Sequence, residues 1–349
     1  MTVKSKLNIV FSTLFSLFLV GCQTVHTLSV VEDRESDSAA SAASDKTPMR
    51  VPPALQETKV ESQELPAPWT PPTVVPTDAV AAPPAGDKPQ PGSISTGSGP
   101  KKLGLILGPG GLRAYGEIGF LEELTKAKIP IHGVVGLEMG ALVGAAYAAK
   151  GQTFDAEWQL MKIKEDDWFN RNFMGTASPQ DFGNLHSFWT GIWGAQQIEA
   201  TKVPFACPTL PLQERRGRIV EKGSLVEAVE ACVPAAPFFK AYKDRLAATS
   251  SLALAAQYLR SKGADYLVYV DVLSDRSGPF FPQAQGDENG MWATVAESLE
   301  MQSKEVQKVV VLNLGNFTLN DFVHRRDMIQ KGQEAGRLAV PELQREMGN

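Results

Sequence analysis

Two glycine-containing turns carry the residues that could do chemistry in this sequence. The first runs from Gly108 to Arg113, after the apolar stretch Leu103 to Leu107 and before apolar residues at helical spacing, which predicts strand, turn and helix. Consecutive glycines at a helix start let backbone N–H groups converge on an anion, as in an oxyanion hole. The loop lacks the Gly-Lys-Ser/Thr of a Walker A motif, and Arg113 stands where a dinucleotide fingerprint needs Gly or Ala. Its candidate residues are Gly108, Gly110, Gly111 and Arg113.

The second turn has the outline of a nucleophile elbow. The apolar strand Ile131 to Val135 leads into Gly136, Glu138 and Gly140, and a helix of small residues follows. In the G-x-S-x-G motif, the flanking glycines tolerate a strained backbone and the central serine points out as the nucleophile. Here the central residue is Glu138, so the turn is predicted without its nucleophile.

Together these turns resemble the start of a bacterial patatin-like phospholipase domain. The resemblance implies a three-layer α/β/α sandwich with a mostly parallel central sheet. It extends over most of the chain after residue 102. The segments that carry it are Gly108 to Gly151, Val203 to Phe205, Gly223 to Ala228, Lys262 to Asp265, Leu319 to Phe322 and Met328 to Leu343.

The resemblance also implies a Ser–Asp dyad, and both of its members are missing. The family's aspartate stands in an Asp-Gly turn, but the corresponding stretch, Lys243 to Ser251, has no Asp-Gly. Asp244 comes too early and resembles a hairpin residue, and Asp271 is interpreted as a structural aspartate at a strand end. We therefore expect a pseudoenzyme that binds a lipid or a protein partner.

Glu138 has another possible role at the start of its helix. Unpaired N–H groups and the helix dipole favour an anion there. Its carboxylate could fold back onto the amides of Gly110 and Gly111 and onto Arg113, so that the protein supplies its own anion. Glutamate could also act as a nucleophile or base. The alternatives are therefore an active acyl hydrolase, using Glu138 or an unrecognised serine such as Ser250 or Ser251, and a purely structural tether.

The N-terminus predicts a bacterial lipoprotein. Lys4 and Lys6 precede an apolar run from Leu7 to Val20, too short to span a bilayer comfortably, and Gly21-Cys22 resembles a lipobox. We expect residues 1–22 to be a signal peptide and lipobox, with Cys22 as the lipidated anchor to the membrane. Gln23 favours the outer membrane, with the domain facing the periplasm or the surface.

Composition divides the rest into a tether and a domain. Residues 23–100 are rich in Pro, Ala, Ser and Thr and cannot bury a core, so a disordered tether is predicted. Residues 101–349 suit one patatin-like domain. The net charge of −5 and a pI of about 5.6 argue against nucleic acid. Four scattered histidines show no metal-ligand spacing, and we expect neither metal nor cofactor.

Three smaller interpretations concern the cysteines, one histidine and a group of aromatic residues. Cys207 and Cys232 lie in apolar surroundings, which favours two unpaired core thiols over a disulfide. His132 is interpreted as a surface or strand-end residue rather than a base. An aromatic cluster between the elbow and the middle strands favours core or lid packing, with an acyl pocket or membrane contact as the alternative. Its members are Trp158, Trp168, Phe169, Phe173, Phe188, Trp189 and Trp193.

Overall fold

A seven-stranded, mostly parallel sheet lies at the centre of the described structure, in the order β6-β5-β2-β1-β8-β9, with β7 also paired to β5. Only β6 and β7 run antiparallel to their neighbour β5. A separate pair, β3 and β4, forms a short antiparallel ribbon. The strands are β1 Leu103–Leu107, β2 Ile131–Gly136, β3 Asn170–Arg171, β4 Ala177–Ser178, β5 Phe205–Pro211, β6 Arg218–Val220, β7 Arg245–Ala247, β8 Tyr266–Asp271 and β9 Lys308–Val311.

This computed structural model describes residues 101–168, 170–171, 177–275, 278–281 and 287–348. The predicted signal peptide, Cys22 and the tether of residues 23–100 lie outside this range, so the domain boundary near residue 101 stays a prediction. In the described part, no helix has both the length and the apolar character needed to cross a bilayer.

Helices cover both faces of the sheet. Leu107 of β1 faces α2, because a Cβ on Gly144 would lie 3.5 Å from Leu107 Cδ1. Gly104 faces the other way, where an added Cβ would lie 3.2 Å from Leu259 of α7. Since alternate strand residues point to opposite faces, α2 and α7 lie in different layers, which confirms the three-layer α/β/α arrangement. The helices are α1 Tyr115–Lys126, α2 Met139–Lys150, α3 Thr153–Met161, α4 Glu165–Trp168, α5 His186–Trp193, α6 Leu225–Cys232, α7 Leu252–Ser261, α8 Asp287–Gln302 and α9 Arg325–Met347.

The expectation of two free thiols is wrong. Cys207 in β5 and Cys232 at the end of α6 form a disulfide, with their Cα atoms 6.0 Å apart. Both residues are fully buried, as their apolar surroundings predict. However, α6 packs directly over β5 and brings the two sulfur atoms together, which a separation of 25 residues does not reveal. Disulfides persist mainly in oxidising compartments.

Candidate functional site

The glycine loop follows β1 and begins a short 3₁₀ turn, Gly111–Ala114. Gly111 has a φ of +55°, and a Cβ there would lie 2.8 Å from the Phe238 ring, so only glycine fits without strain. Two backbone N–H groups of the loop, from Gly110 and Gly111, converge on one oxygen atom. This is the geometry that an oxyanion hole requires.

The elbow lies between β2 and α2 and has the strained backbone that its motif predicts. Glu138 adopts φ 50° and ψ −120°, a conformation that costs a non-glycine residue about 1–3 kcal/mol. Gly140 is needed because a Cβ there would lie 2.6 Å from the Gly108 carbonyl oxygen, and a Cβ on Gly136 would collide with the backbone of Gly140 and Ala141. The turn is therefore a formed nucleophile elbow that presents a glutamate.

The Glu138 side chain fills the space between the two turns. Its Oε2 atom accepts hydrogen bonds from Gly110 N at 2.9 Å and from Gly111 N at 3.0 Å. The residue is fully buried, and Oε1 has no hydrogen-bond partner among the described residues. Burial raises the pKa of this carboxyl to about 7, while the amides of Met139, Gly110 and Gly111 act in the opposite direction.

Arg113 does not join this site, and the expectation that it would contact the Glu138 carboxylate is wrong. Its side chain is fully buried, so its donors need acceptors nearby. The guanidinium donates to the carbonyl oxygens of Val272, Gly315 and Phe317 and forms an ion pair with Asp275. Arg113 therefore connects the glycine loop to the segment that follows β8 and stabilises the loop's position.

Glu117 is a site residue that the sequence did not single out. It lies on α1, is fully buried, and its Oε1 accepts a hydrogen bond from Gly108 N at 2.5 Å. Burial raises its pKa well above the usual range, and the nearby carboxyls of Glu138 and Asp271 raise it further. The Gly108 amide acts in the opposite direction. The two glutamates thus accept the N–H groups of Gly108, Gly110 and Gly111, the three glycines of the loop.

Among the residues that the structure describes, no second member of a dyad lies at this site. Asp244 lies in the tight turn before β7, with a φ of +58°. Asp271 ends β8, where its carboxylate accepts the N–H groups of Leu273 and Ser274 and caps a local turn. Within the described part of the chain, no hydrogen bond joins the Ser250 or Ser251 hydroxyl to a carboxylate or an imidazole.

The aromatic cluster is divided between core and pocket. Trp189 stacks on Trp193 in the interior, while Trp158 is 51% exposed with the Lys162 ammonium over its ring. The side chains of Phe169 and Phe173 lie outside the described residues. Trp168 borders a small apolar pocket beside the two turns. The pocket is lined by Gly111, Leu112, Met139, Trp168, Phe238 and Phe239.

The pocket is small, because its cavity volume is about 10 Å³, roughly the room that one water molecule needs. His132 is remote from it and bonds the Lys262 carbonyl oxygen from the start of β2. Among the described residues, no cluster of His, Cys, Asp and Glu is arranged to hold a metal ion. The pocket is therefore small and apolar, and the ionisable groups that accept the loop amides beside it are Glu138 and Glu117.

Comparison with known proteins places this architecture in one class. Residues 105–271 match the model of the family described as patatin-like phospholipase. This range contains both turns. The chain therefore carries a patatin-like phospholipase domain, and its mostly parallel sheet is the patatin-like fold.

Similar proteins are lysophospholipases of fungi. The chain is 31% identical to lysophospholipase NTE1 of Phaeosphaeria nodorum, over 56% of this chain and 13% of that protein. It is 30% identical to lysophospholipase NTE1 of Pyricularia oryzae, over 56% of this chain and 14% of that protein. The chain thus spans about one seventh of the relatives it matches. Among solved structures, VipD from Legionella pneumophila is similar with a TM-score of 0.39 and 9% identity, over 70% of this chain and 67% of that chain.

Proposed function

We propose that this chain is a catalytically silent patatin-like protein that binds a lipid or a protein partner. One observation carries the proposal: the side chain at the nucleophile position is itself the ligand of the loop amides. The Glu138 carboxyl accepts the N–H groups of Gly110 and Gly111, which in an acyl hydrolase would hold the substrate oxygen. A substrate carbonyl could not use these donors without displacing Glu138.

A lipid is the ligand class that the surroundings favour. The pocket beside Glu138 is lined by aliphatic and aromatic groups, and the relatives are named lysophospholipases. The free space is too small for an acyl chain as it stands, so a lipid would have to open the pocket between Trp168 and Phe238. A protein partner would need no such opening.

An active acyl hydrolase with a non-standard nucleophile is the second candidate, and one observation favours it. A carboxyl with a pKa of about 7 lies in the range that suits a general base at neutral pH. Against this, Glu138 is fully buried and the described residues supply no partner acid. The hypothesis of a catalytically silent domain is therefore the better supported of the two.

The occupied oxyanion hole can be tested by chemical rescue. In Glu138→Ser, the two loop amides lose their acceptor, so an added small carboxylate such as formate should bind in its place. Formate at ten times its dissociation constant would stabilise the variant by about 1.4 kcal/mol. Thermal unfolding of wild type and variant should be compared in formate and in chloride at equal ionic strength.

Glu138→Gln is the matched control, because its amide oxygen can still accept both N–H groups. We expect formate to stabilise Glu138→Ser more than either wild type or Glu138→Gln. Equal shifts in all three proteins would show that the loop amides are not the binding site, and the self-occupied hole would have to be abandoned.

We also propose that the protein is held in the outer membrane by a lipid on Cys22. The Cys207–Cys232 disulfide supports an oxidising compartment, in agreement with a lipoprotein of the cell envelope. Cys22→Ser should leave an uncleaved or soluble protein, because the lipid is then missing. Fractionation after a high-salt wash would measure this, and mature Cys22→Ser protein retained in the outer membrane would contradict it.

A further inference from the structure

A basic surface forms where β5 meets its two antiparallel partners, outside the site described above. It consists of residues 212–218, from the end of β5 to the first residue of β6, and residues 240–245, which end at the first residue of β7. We call it the basic tip. The two segments touch, since Leu212 N donates to the Asp244 carbonyl oxygen at 2.9 Å. Thr209 of β5 pairs with Arg218 on one side and with Ala247 on the other, which fixes both segments to one strand.

The tip projects beyond the edge of the sheet on which Glu138 lies. Val135 of β2 pairs with Ala206 of β5, and β2 ends one residue later at Gly136, immediately before the elbow. β5 continues to Pro211, which at about 3.3 Å per residue places its end roughly 13 Å past the end of β2. Whatever docks on the tip is therefore on the same side of the molecule as the elbow.

The charge of the tip is opposite to that of the whole chain. It has six basic and two acidic side chains, a net charge of +4, whereas the protein carries −5. Of the basic residues, Arg218 forms an ion pair with Glu214, and Lys243 forms one with Glu227 of α6. The remaining basic residues, all exposed, are Arg215, Arg216, Lys240 and Arg245.

An apolar side chain lies among these charges. Leu212 is 41% exposed at the start of the β5–β6 connection, three residues before Arg215. The backbone around it is tightly folded, because Arg215, Lys243 and Asp244 all have positive φ angles. An exposed leucine in a segment rich in arginine and lysine suits the interface of an anionic bilayer, where the leucine enters the acyl boundary and the cations meet headgroups.

Nucleic acid and an acidic protein would satisfy the charge but leave the leucine without a role. The position of the tip adds a second argument for lipid. Phe238 and Phe239 line the pocket and lead directly into Lys240, so one short segment joins the pocket to the tip.

We infer that the basic tip docks on the surface of an anionic lipid bilayer and turns the elbow edge of the sheet towards it. This contact goes beyond the proposed function, because it would hold for a silent or an active domain. It also adds a second membrane contact to the predicted lipid on Cys22.

A fluorescent probe at the tip tests this contact independently of any N-terminal anchor. The chain that begins at Gln23, without Cys22 and the apolar run before it, carries Leu212→Cys labelled with an environment-sensitive dye, while Cys207 and Cys232 are held in their disulfide. The emission should shift to the blue on vesicles of phosphatidylglycerol and phosphatidylcholine in equal parts, and not on phosphatidylcholine alone. The matched control labels Leu338→Cys, another exposed leucine, which lies on α9 and should show no shift.

The charge of the tip is tested in the same labelled chain. Arg215→Gln with Arg216→Gln should raise the lipid concentration at half-maximal shift roughly 25-fold, about fivefold for each cation. Lys331→Gln with Arg337→Gln on α9 removes the same amount of charge away from the tip. This control should change the lipid concentration at half-maximal shift little. No shift on anionic vesicles, an equal shift at position 338, or no effect of the tip arginines would each overturn the inference. A shift caused by duplex DNA but not by vesicles would replace the lipid surface with nucleic acid.

Discussion

Purified protein should hydrolyse neither phospholipid nor short-chain esters above the buffer rate, and Glu138→Ser alone should not restore hydrolysis. The variant would place a serine on a turn that already has the elbow backbone, next to the N–H groups of Gly110 and Gly111 that already converge on one point. What it would lack is the base. Loss of a nucleophile or base in triad enzymes costs roughly 10³-fold or more, so repairing one of two missing groups should leave the rate near background.

The carboxyls nearest to Glu138 do not replace the missing aspartate. Glu117 is held on the Gly108 amide, and burial favours its protonated form, in which it cannot accept a proton. The Asp271 carboxylate accepts backbone N–H groups of the turn after β8. Neither is positioned by the structure to orient a serine hydroxyl at residue 138.

Fatty-acid release and labelling by a fluorophosphonate probe should be measured for wild type, Glu138→Ser and Glu138→Ala. The alanine variant is the matched control, because it also vacates the loop amides but supplies no hydroxyl. Hydrolysis by wild type that disappears in Glu138→Ala would refute the hypothesis of a catalytically silent domain. It would favour catalysis by the Glu138 carboxyl. Labelling of wild type would reveal an activated serine that the described residues do not show.

The local parts of the site were predictable because they are short and contiguous. Strand, glycine turn and helix recur at residues 103–126 and 131–150, and each turn needs glycine where the backbones approach closely. The glutamate side chain is long enough to fold back, which predicts its contact with the amides of Gly110 and Gly111. These inferences needed only the spacing of apolar and glycine residues and the reach of one side chain.

The errors concern partners that are distant in the sequence. The charge of Arg113 and its place in the glycine loop predict a contact with the anion site, but its acceptors come from residues 159 to 204 positions later. The cysteine pair and the basic tip likewise depend on which segments lie beside β5. Periodicity predicts that a strand is buried and does not give its neighbours. A buried guanidinium always needs acceptors, yet their identity follows only from the order of the strands.

The pH dependence of stability should differ between wild type and Glu138→Gln. The pKa of Glu138 rises from its usual value of 4.5 to about 7 on folding. Between these two values the folded protein holds a proton that the unfolded chain releases, so the stability of wild type falls as the pH rises. The shift corresponds to a loss of about 3 kcal/mol between roughly pH 4 and pH 8. Glutamine does not titrate, so its variant lacks this component.

The measurement is the free energy of unfolding by denaturant at several pH values, taken as the difference between the two proteins. Glu117 is present in both, so most of its own contribution cancels in that difference. The advantage of wild type over Glu138→Gln should be largest below pH 4.5 and should shrink steadily up to about pH 7. Above that pH, the carboxylate is charged and held only by the amide donors and the helix N-terminus. If the free energies of unfolding of the two proteins run parallel across the whole pH range, Glu138 ionises in the folded protein as it does in the unfolded chain. That result would contradict the prediction, because a fully buried carboxyl with an unpaired Oε1 should resist ionisation.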